Sequence, residues 1–457
     1  MGVVQRDGEP TLPEDATEIE PPDSDAPTIR AEAARADKAM ADDAKRLAQL
    51  ANLTDVLTRR GEELAGEVEY ARALAGAMAG ENLFAVQGWV PAERTDTLPT
   101  DLAEQSITAA VDSRDPADDE APPTLIQYPH WARPIKGLFD ILGTSPGYRE
   151  FDVSGFFMIA LPIFAAMLIG DAGYGLMFLL LPMLIYRKAA AAAGPAKVHL
   201  IMVVGAATMI WGLLTGNIFG ISPDMLIRSG GIWAFPGDWL DKVRIIRGDL
   251  SEQTIIIMKL SFIVGTIHLS LAQLRSSLRL MPNLQFLARV GWAAFLWGML
   301  GVIWYLFFGS QQTPPAPLHP AAPWLLLVGG TLAIFFTHPG RNPVRMIGFG
   351  LASFPLAALS TFSDTISYIR LMAVGLASVV IAQTFNSLGA QCADAATWFA
   401  GAPIVLIGHA LNVALCLIAL LAHGVRLNML EFAGNAGIEW AGYSYEPFAN
   451  IRVKENG

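Results

Sequence analysis

The feature that most constrains this chain is an apolar run of about forty residues, Phe349 to Gly389, whose only Asp, Glu, Lys, Arg or His side chains are Asp364 and Arg370. A run of that length crosses a bilayer rather than packing inside a small soluble domain. An arginine that far from either end costs at least ~2.5–3.5 kcal/mol to place in hydrocarbon, and residues of this kind mark ion or substrate paths. Further long apolar runs occupy 153–220 and 254–432, while the acidic residues gather in 1–150. With 53% hydrophobic and only 16% charged residues, against ~25% charged in ordinary globular proteins, the chain reads as a polytopic membrane protein with a polar N-terminal region. The net charge of −11 comes largely from that region and, with no basic patch interleaved with aromatics, speaks for no nucleic-acid partner. Cys392 and Cys416 form neither a CxxC pair nor a metal-ligand spacing. GxxxxGK[ST] is absent, which excludes ATP hydrolysis at a Walker site in this chain.

Residues 1–27 are rich in Pro, Asp and Glu and are expected to be a disordered acidic tail. Residues 28–150 read as a cytoplasmic arm leading to the membrane. A helical arm over 28–79 carries a heptad seam of Leu50, Leu57, Leu64, Ala71 and Met78, with Leu47, Thr54, Val68 and Ala75 at the companion positions. The spacing suits a coiled coil, or one helix of a small bundle, and Gly61, Gly66 and Gly76 weaken it. A small α+β lobe is expected over 81–114, with strands at Phe84–Trp89 and Ile107–Val111 around a helix from Pro91 to Glu104 interrupted at Pro99. A proline-rich linker fills 115–150. No signal-peptide core or myristoylation motif stands at the N-terminus, so this region is expected to stay cytoplasmic.

The transmembrane domain is expected over 151–434, followed by a cytoplasmic tail at 435–457. Eight spans are counted: Phe151–Ile169, Ala172–Tyr186, Val198–Phe219, Thr254–Leu274, Phe286–Phe308, Trp324–Phe336, Phe349–Gly389 and Pro403–Phe432. With both termini inside, the inner loops carry Arg187, Lys188, Lys197, Arg275, Arg279, Arg289, Arg341 and Arg345, and the outer loops 310–322 and 391–402 carry none. The outer loop 221–253 is of mixed charge. The last two spans exceed a bilayer's needs, so they must tilt or kink, with Pro355 and Ser360–Ser363 as bend points for the seventh.

Steps of three, four and seven put Ser363, Ser367, Ala373, Ala377 and Ser378 on the face of Arg370, a small-residue groove around a guanidinium. Asp364 is turned away within the helix, so the arginine is expected to meet a carboxylate from elsewhere. The alternatives are a partner within this chain, or snorkelling to an interface. In the eighth span Asn412, Ala419, His423 and Arg426 form a stripe that could line a hydrated path, with Glu431 near the inner end; Arg426 is also placed to snorkel. Asp171, in GDAGYG, reads as a helix cap or as part of an aqueous vestibule. His268 reads as an interior, hydrogen-bonded histidine.

Seven ordered stretches carry a family resemblance: FAVQGWVPAER, PPTLIQYPHWARPIKGLFDILGTSPGYREFD, LPIFAAMLIGDAGYGLM, WGLLTGNIFG, KLSFIVGTIHLSLAQL, SDTISYIRLMAVGLASVVIA, and HGVRLNMLEF followed by GYSYEPF. Together they resemble the a/I subunit of V-type and A-type rotary ATPases, the membrane stator that faces the rotating proteolipid ring. The resemblance implies that Arg370 is the family's essential arginine and Arg426 its second, with His423 and Glu431 in the same HxxRLxxxEF pattern and Ser367, Asn412, His268 and Asp171 in support. Ring carboxylates would pass Arg370 between two offset half-channels carrying H⁺ or Na⁺, with no cofactor in this chain. The ring, the peripheral-stalk subunits and the lipid membrane are the implied partners, in the inner membrane if the source is prokaryotic. The N-terminal region is shorter than the family's usual one, and Cys416 stands where some members have glutamate. Two other readings are a paralogue kept for scaffolding or another coupling, and a secondary transporter or channel that binds a small anion at Arg370.

Overall fold

The computed structural model describes residues 25–76, 78–79, 84–229, 234–309, 314–315, 318–340, 342–395 and 398–445. The expected acidic tail therefore lies outside the described residues, apart from its last three. The chain forms two compact units, Met1–Val90 with Glu446–Gly457, and Pro91–Tyr445.

In the first unit, helix α1 (Ala26–Gly76) runs unbroken through Gly61 and Gly66. Leu47, Leu50, Leu57, Leu64 and Val68 are all exposed, so the apolar seam is left uncovered. Arg60 pairs with Glu63 at 2.8 Å and Arg72 with Glu69 at 2.8 Å, solvent-screened surface contacts that add little. The helix stops at Gly76, and Met78 pairs in a two-residue strand β1 (Met78–Ala79) against β2 (Phe84–Ala85). Met78 is thus not on the helical seam, and only the first two residues of the expected strand Phe84–Trp89 pair.

The second unit is helical. Short helices α2 (Ala92–Thr95) and α3 (Leu98–Glu104) break at Asp96–Thr97, three residues before the expected break, because Pro99 is tolerated in the first turn of α3. Residues 107–111 pair with no strand among the described residues, so the second strand of the expected lobe does not form. The proline-rich linker is ordered: a 3₁₀ turn, His130–Ile135, leads into α4 (Lys136–Leu142). Then come α5 (Ser154–Ile169), α6 (Ala172–Leu184), α7 (Tyr186–Ala193), α8 (Pro195–Thr215), α9 (Pro223–Ser229), α10 (Ala234–Val243), α11 (Leu250–Leu280), α12 (Gln285–Phe308), α13 (Leu318–Phe336), α14 (Pro343–Ser367), α15 (Ile369–Ala395) and α16 (Trp398–Ala419). Two π-helical turns, Leu420–Val425 and Leu427–Phe432, and the short α17 (Ala433–Ala436) end the series.

Among the described residues, six helices are long and apolar enough to cross a membrane: Pro195–Thr215, Leu250–Leu280, Gln285–Phe308, Leu318–Phe336, Pro343–Ala393 and Phe399–Ala436. In each, no more than 50% of the most apolar stretch is buried. Their outward faces carry residues such as Leu356 and Leu406, 75% and 72% exposed. A surface like that is untenable in water and ordinary against lipid, where helices associate through close packing rather than hydrophobic burial. The chain is an integral membrane protein. Helix α5 is shorter, 16 residues, and α6 with α7 bends by 87°.

The ends of the helices sort onto two sides. On one, Asp171 at the α5–α6 turn is bonded by Asn217, Phe219 and Gly220 from the segment after α8, and Asn386 near the end of α15 donates to the Phe219 carbonyl at 2.7 Å. On the other, Gln273 near the end of α11 bonds Asn435, and the final segment pairs through Thr124, Ser145 and Glu150 with the linker. A core of Ile135, Leu138, Phe139, Phe157, Phe432 and Ile438 fastens that side.

Helices α6 and α8 meet backbone to backbone. A Cβ on Gly175 would lie 2.2 Å from Met209 N, and one on Gly212 would lie 2.0 Å from Ala172 N. Small residues permit this approach, the usual device for packing helices in lipid. Gly212→Ala is expected to cost about 1–3 kcal/mol through overpacking and to lower the melting temperature in detergent. Gly348→Ala, which meets nothing within 4 Å, serves as the neutral control.

Candidate functional site

The span expected as the seventh is two helices in line, α14 and α15, and it breaks at Tyr368 rather than at Pro355 or Ser360–Ser363. There Tyr368 N bonds Thr365 O, a tightened turn of the 3₁₀ kind. Pro355 sits inside α14 without ending it. The Tyr368 side chain is fully buried and its hydroxyl lies 2.8 Å from His268 Nδ1 on α11. His268 in turn stacks on Phe432 at 4.5 Å between centroids. His268 is therefore the interior, hydrogen-bonded histidine expected, and it pins the joint.

The joint frees Ser367 to receive Arg370. Arg370 Nε donates to the Ser367 carbonyl at 2.9 Å, and Nη2 donates to Ser367 Oγ and, at 2.7 Å, to Glu431 Oε1. Ser367 Oγ also donates to Glu431 Oε1 at 2.7 Å. Arg426 Nε lies 3.7 Å from the same oxygen. Glu431 is 6% exposed and its Oε2 has no hydrogen-bond partner among the described residues. Arg370 thus meets a carboxylate of this chain, the alternative the sequence left open beside a carboxylate from elsewhere. Arg370 Nη1 makes no hydrogen bond among the described residues.

The π-helical turns explain why the pairing was missed. In an α-helix Arg426 and Glu431, five residues apart, point about 140° away from each other. Hydrogen bonding from residue i to i+5 brings that spacing nearly into line. The same change breaks up the expected stripe of the eighth span. Asn412 is fully buried, whereas the Arg426 side chain is 55% exposed. His423, half-buried, has an unbonded Nδ1.

On the face of Arg370, Ser363, Ala373 and Ala377 are exposed as expected, but Ser378 is buried and donates to Ile169 O at 3.0 Å. Gly375 lets α15 touch α5, since a Cβ there would stand 2.2 Å from Met167 O.

Polar clusters lie on both sides of Arg370. Toward α11 and α12, Asn435 donates to Asp364 at 2.9 Å and to the Glu431 carbonyl at 2.7 Å, and accepts from Gln273 at 2.8 Å; Arg289 donates to Gln273 at 3.3 Å. Toward the far end of α15, Tyr174 OH lies 2.6 Å from His409 Nδ1, whose other nitrogen is 3.0 Å from Asn386. Asn412 donates to Tyr174 OH and to Ser378 O, and Cys416 Sγ lies 3.2 Å from Ser378 Oγ. Gln273, Asn435 and His409 were not singled out from sequence. Gln273 and His409 carry the signal that marked His268, a polar group inside an apolar span. A cavity of about 150 Å³, room for several waters, is walled by Thr215, Asn217, Asp224 and Asp249 on one side and by Met372 and Gly375 of α15 on the other. Among the described residues no three His, Cys, Asp or Glu side chains are grouped to hold a metal ion.

Asp171 is the N-cap of α6. Its Oδ1 accepts from Gly173, Tyr174 and Phe219 amides at 2.8–3.1 Å, and its Oδ2 from Gly220 N and Asn217 Nδ2. This is the capping reading, extended to a second loop.

The fold and site define a polytopic helical membrane protein in which a partly exposed arginine pairs with a buried glutamate at a helix joint. No family model matches the chain. It is 32% identical over 399 residues to the V-type ATP synthase subunit I of Borreliella burgdorferi, covering 84% of this chain and 63% of that one. It is 28% identical over 460 residues to V-type ATP synthase subunit I 1 of Treponema pallidum, covering 96% and 71%. With the A-type ATP synthase subunit I of Archaeoglobus fulgidus it shares 25% over 416 residues, 81% and 59% of the two chains. The chain is a homologue of the V-type and A-type ATP synthase subunit I proteins. It spans less than two-thirds of the Borreliella and Archaeoglobus relatives' length.

Asp171→Asn turns an amide toward N–H donors that now meet a carboxylate, and is expected to destabilise the fold by about 1–3 kcal/mol. Thermal unfolding in detergent checks this; an unchanged midpoint would count against the capping role.

Proposed function

We propose that this chain is the stator subunit of a V-type or A-type rotary ATPase membrane sector, through which H⁺ or Na⁺ crosses as a proteolipid ring turns. The observation that carries the reading is the setting of Arg370: on an exposed small-residue face, fixed by Ser367 and Glu431, with Nη1 left for a further partner. Small side chains let another helix come close, and a guanidinium favours the ionised form of a carboxylate beside it. Homology to ATP synthase subunit I supports the same reading.

In this proposal the chain crosses the membrane eight times with both termini cytoplasmic, α5 and α6 forming the two shortest spans around the Asp171 turn. The cavity walled by Asp224, Asp249 and Gly375, with the Tyr174–His409–Asn412 cluster, serves the outer half-channel. The Asp364–Asn435–Gln273 cluster, with His423 and Arg426, serves the inner one. Arg370 stands between them and blocks direct leak. The exposed seam of α1 offers a coiled-coil surface to a peripheral-stalk subunit. Anion transport is disfavoured because Glu431 offsets the charge on Arg370.

Arg370→Ala, in the assembled complex in sealed vesicles, is expected to abolish ATP-driven ion uptake while the complex still assembles. Uptake at the unaltered rate would sink the proposal.

A further inference from the structure

Glu431 faces a partly exposed guanidinium, and the way the two share hydrogen bonds is specific. Of the donors on Arg370, Nε and Nη2 are taken by Ser367 and Glu431, and Nη1 is not. The guanidinium is therefore held in place with one edge already committed. Glu431 itself is only partly satisfied: one oxygen serves Ser367, Arg370 and Arg426, while the other, buried, has no partner among the described residues. A bare arginine in a low-dielectric groove would hold an incoming carboxylate strongly enough to stop a moving ring. Conduction needs binding that is favourable on entry and weak enough for exit.

Resting on the stator reading above, we infer that Glu431 is a positioning residue that sets how long a ring carboxylate dwells at Arg370, by sharing the guanidinium with it. Ser367 holds Nε at its carbonyl and Nη2 toward Glu431, so the visitor is met by Nη1. Each visiting carboxylate competes with a resident one, and release is quickened by the return of full charge to the Arg370–Glu431 pair. Asn435 fixes Glu431 in register by accepting from Gln273 while donating to the Glu431 carbonyl.

The test places a cysteine at Ala373, exposed one turn from Arg370, and another beside the carboxylate in the ring. Oxidative cross-linking and ATP-driven ion uptake are then measured in the assembled complex, with a chain lacking Ala373→Cys as the control for Cys392 and Cys416. Glu431→Gln keeps the shape and removes the charge. It is expected to raise the cross-link yield several-fold and slow uptake about tenfold, the weight of one charge-assisted hydrogen bond, with assembly unchanged. A role in packing alone would lower both readings or move neither, and either result overturns the inference. Should that variant not assemble, Glu431→Asp, which withdraws the oxygen by one methylene, is expected to raise the yield as well, and an unchanged yield overturns the inference. Adding Arg370→Ala to Glu431→Gln must erase the gain in yield; a gain that persists overturns it too. If Arg370→Ala stops uptake while Glu431→Gln changes nothing, the stator reading stands and this inference falls. If Arg370→Ala leaves uptake intact, both fall.

Discussion

A guanidinium in a membrane-length helix must be given a partner, and the way Arg370 gets one organises much of this molecule. Its partners are a hydroxyl and a carbonyl from Ser367 and a carboxylate from Glu431. Each requires something of the backbone. The Ser367 carbonyl is within reach because α14 and α15 part at Tyr368. Tyr368 is held by His268, and His268 by Phe432. Glu431 is within reach because the segment after α16 is wound as a π-helix. A buried ion pair adds little net stability by itself, since desolvation offsets most of the attraction. Its effect is the reverse: removing either partner strands a charge, so the surrounding segments must keep their places.

The two sides of the molecule solve a shared problem in similar ways. Where helices end in a low dielectric, backbone donors and carbonyls have no water to turn to. At the α5–α6 turn a single carboxylate, Asp171, gathers donors from its own helix and from the segment after α8. On the opposite side a single amide, Asn435, joins α11, α14 and the Glu431 backbone. Between these hubs the helices close on each other through glycine, as at Gly212 and Gly375. The region around Arg370 is thus gripped from both ends, while Ser363, Ala373 and Ala377 stand exposed on its outward face.

Much of this was legible in the residues. Lipid imposes a length rule simple enough that six long spans can be read from apolar runs, and GDAGYG announces a capped helix start. Arg370, Glu431 and His268 each stood out as polar groups in apolar surroundings. What could not be read was who pairs with whom. The seventh span gave no local sign of breaking at Tyr368, because the cause is tertiary, a buried hydroxyl reaching another helix. Pro355, the obvious local candidate, leaves α14 continuous. Heptad spacing likewise carried the α1 seam one turn too far, to Met78, where Gly76 had already ended the helix.

The Arg426–Glu431 alignment failed for a further reason, and it bears on the site. Face arithmetic assumes 3.6 residues per turn, and between Leu420 and Phe432 that assumption does not hold. The side chain of Asn428, fully buried, donates to the Gly424 carbonyl at 3.0 Å. In an α-helix that carbonyl belongs to the backbone amide of residue 428 itself. Side-chain bonds of this kind compete with the helical ladder, and a ladder displaced by one residue is a π-turn. Gly424 leaves the wall open on that side, where a Cβ would meet Leu420 at 2.9 Å and Leu168 at 3.3 Å. The widened winding then carries Glu431 round to Arg426 and inward to Arg370. On this account the irregular backbone and the shared carboxylate are one feature: two arginines reach a single glutamate because a buried asparagine has taken a carbonyl from the helix.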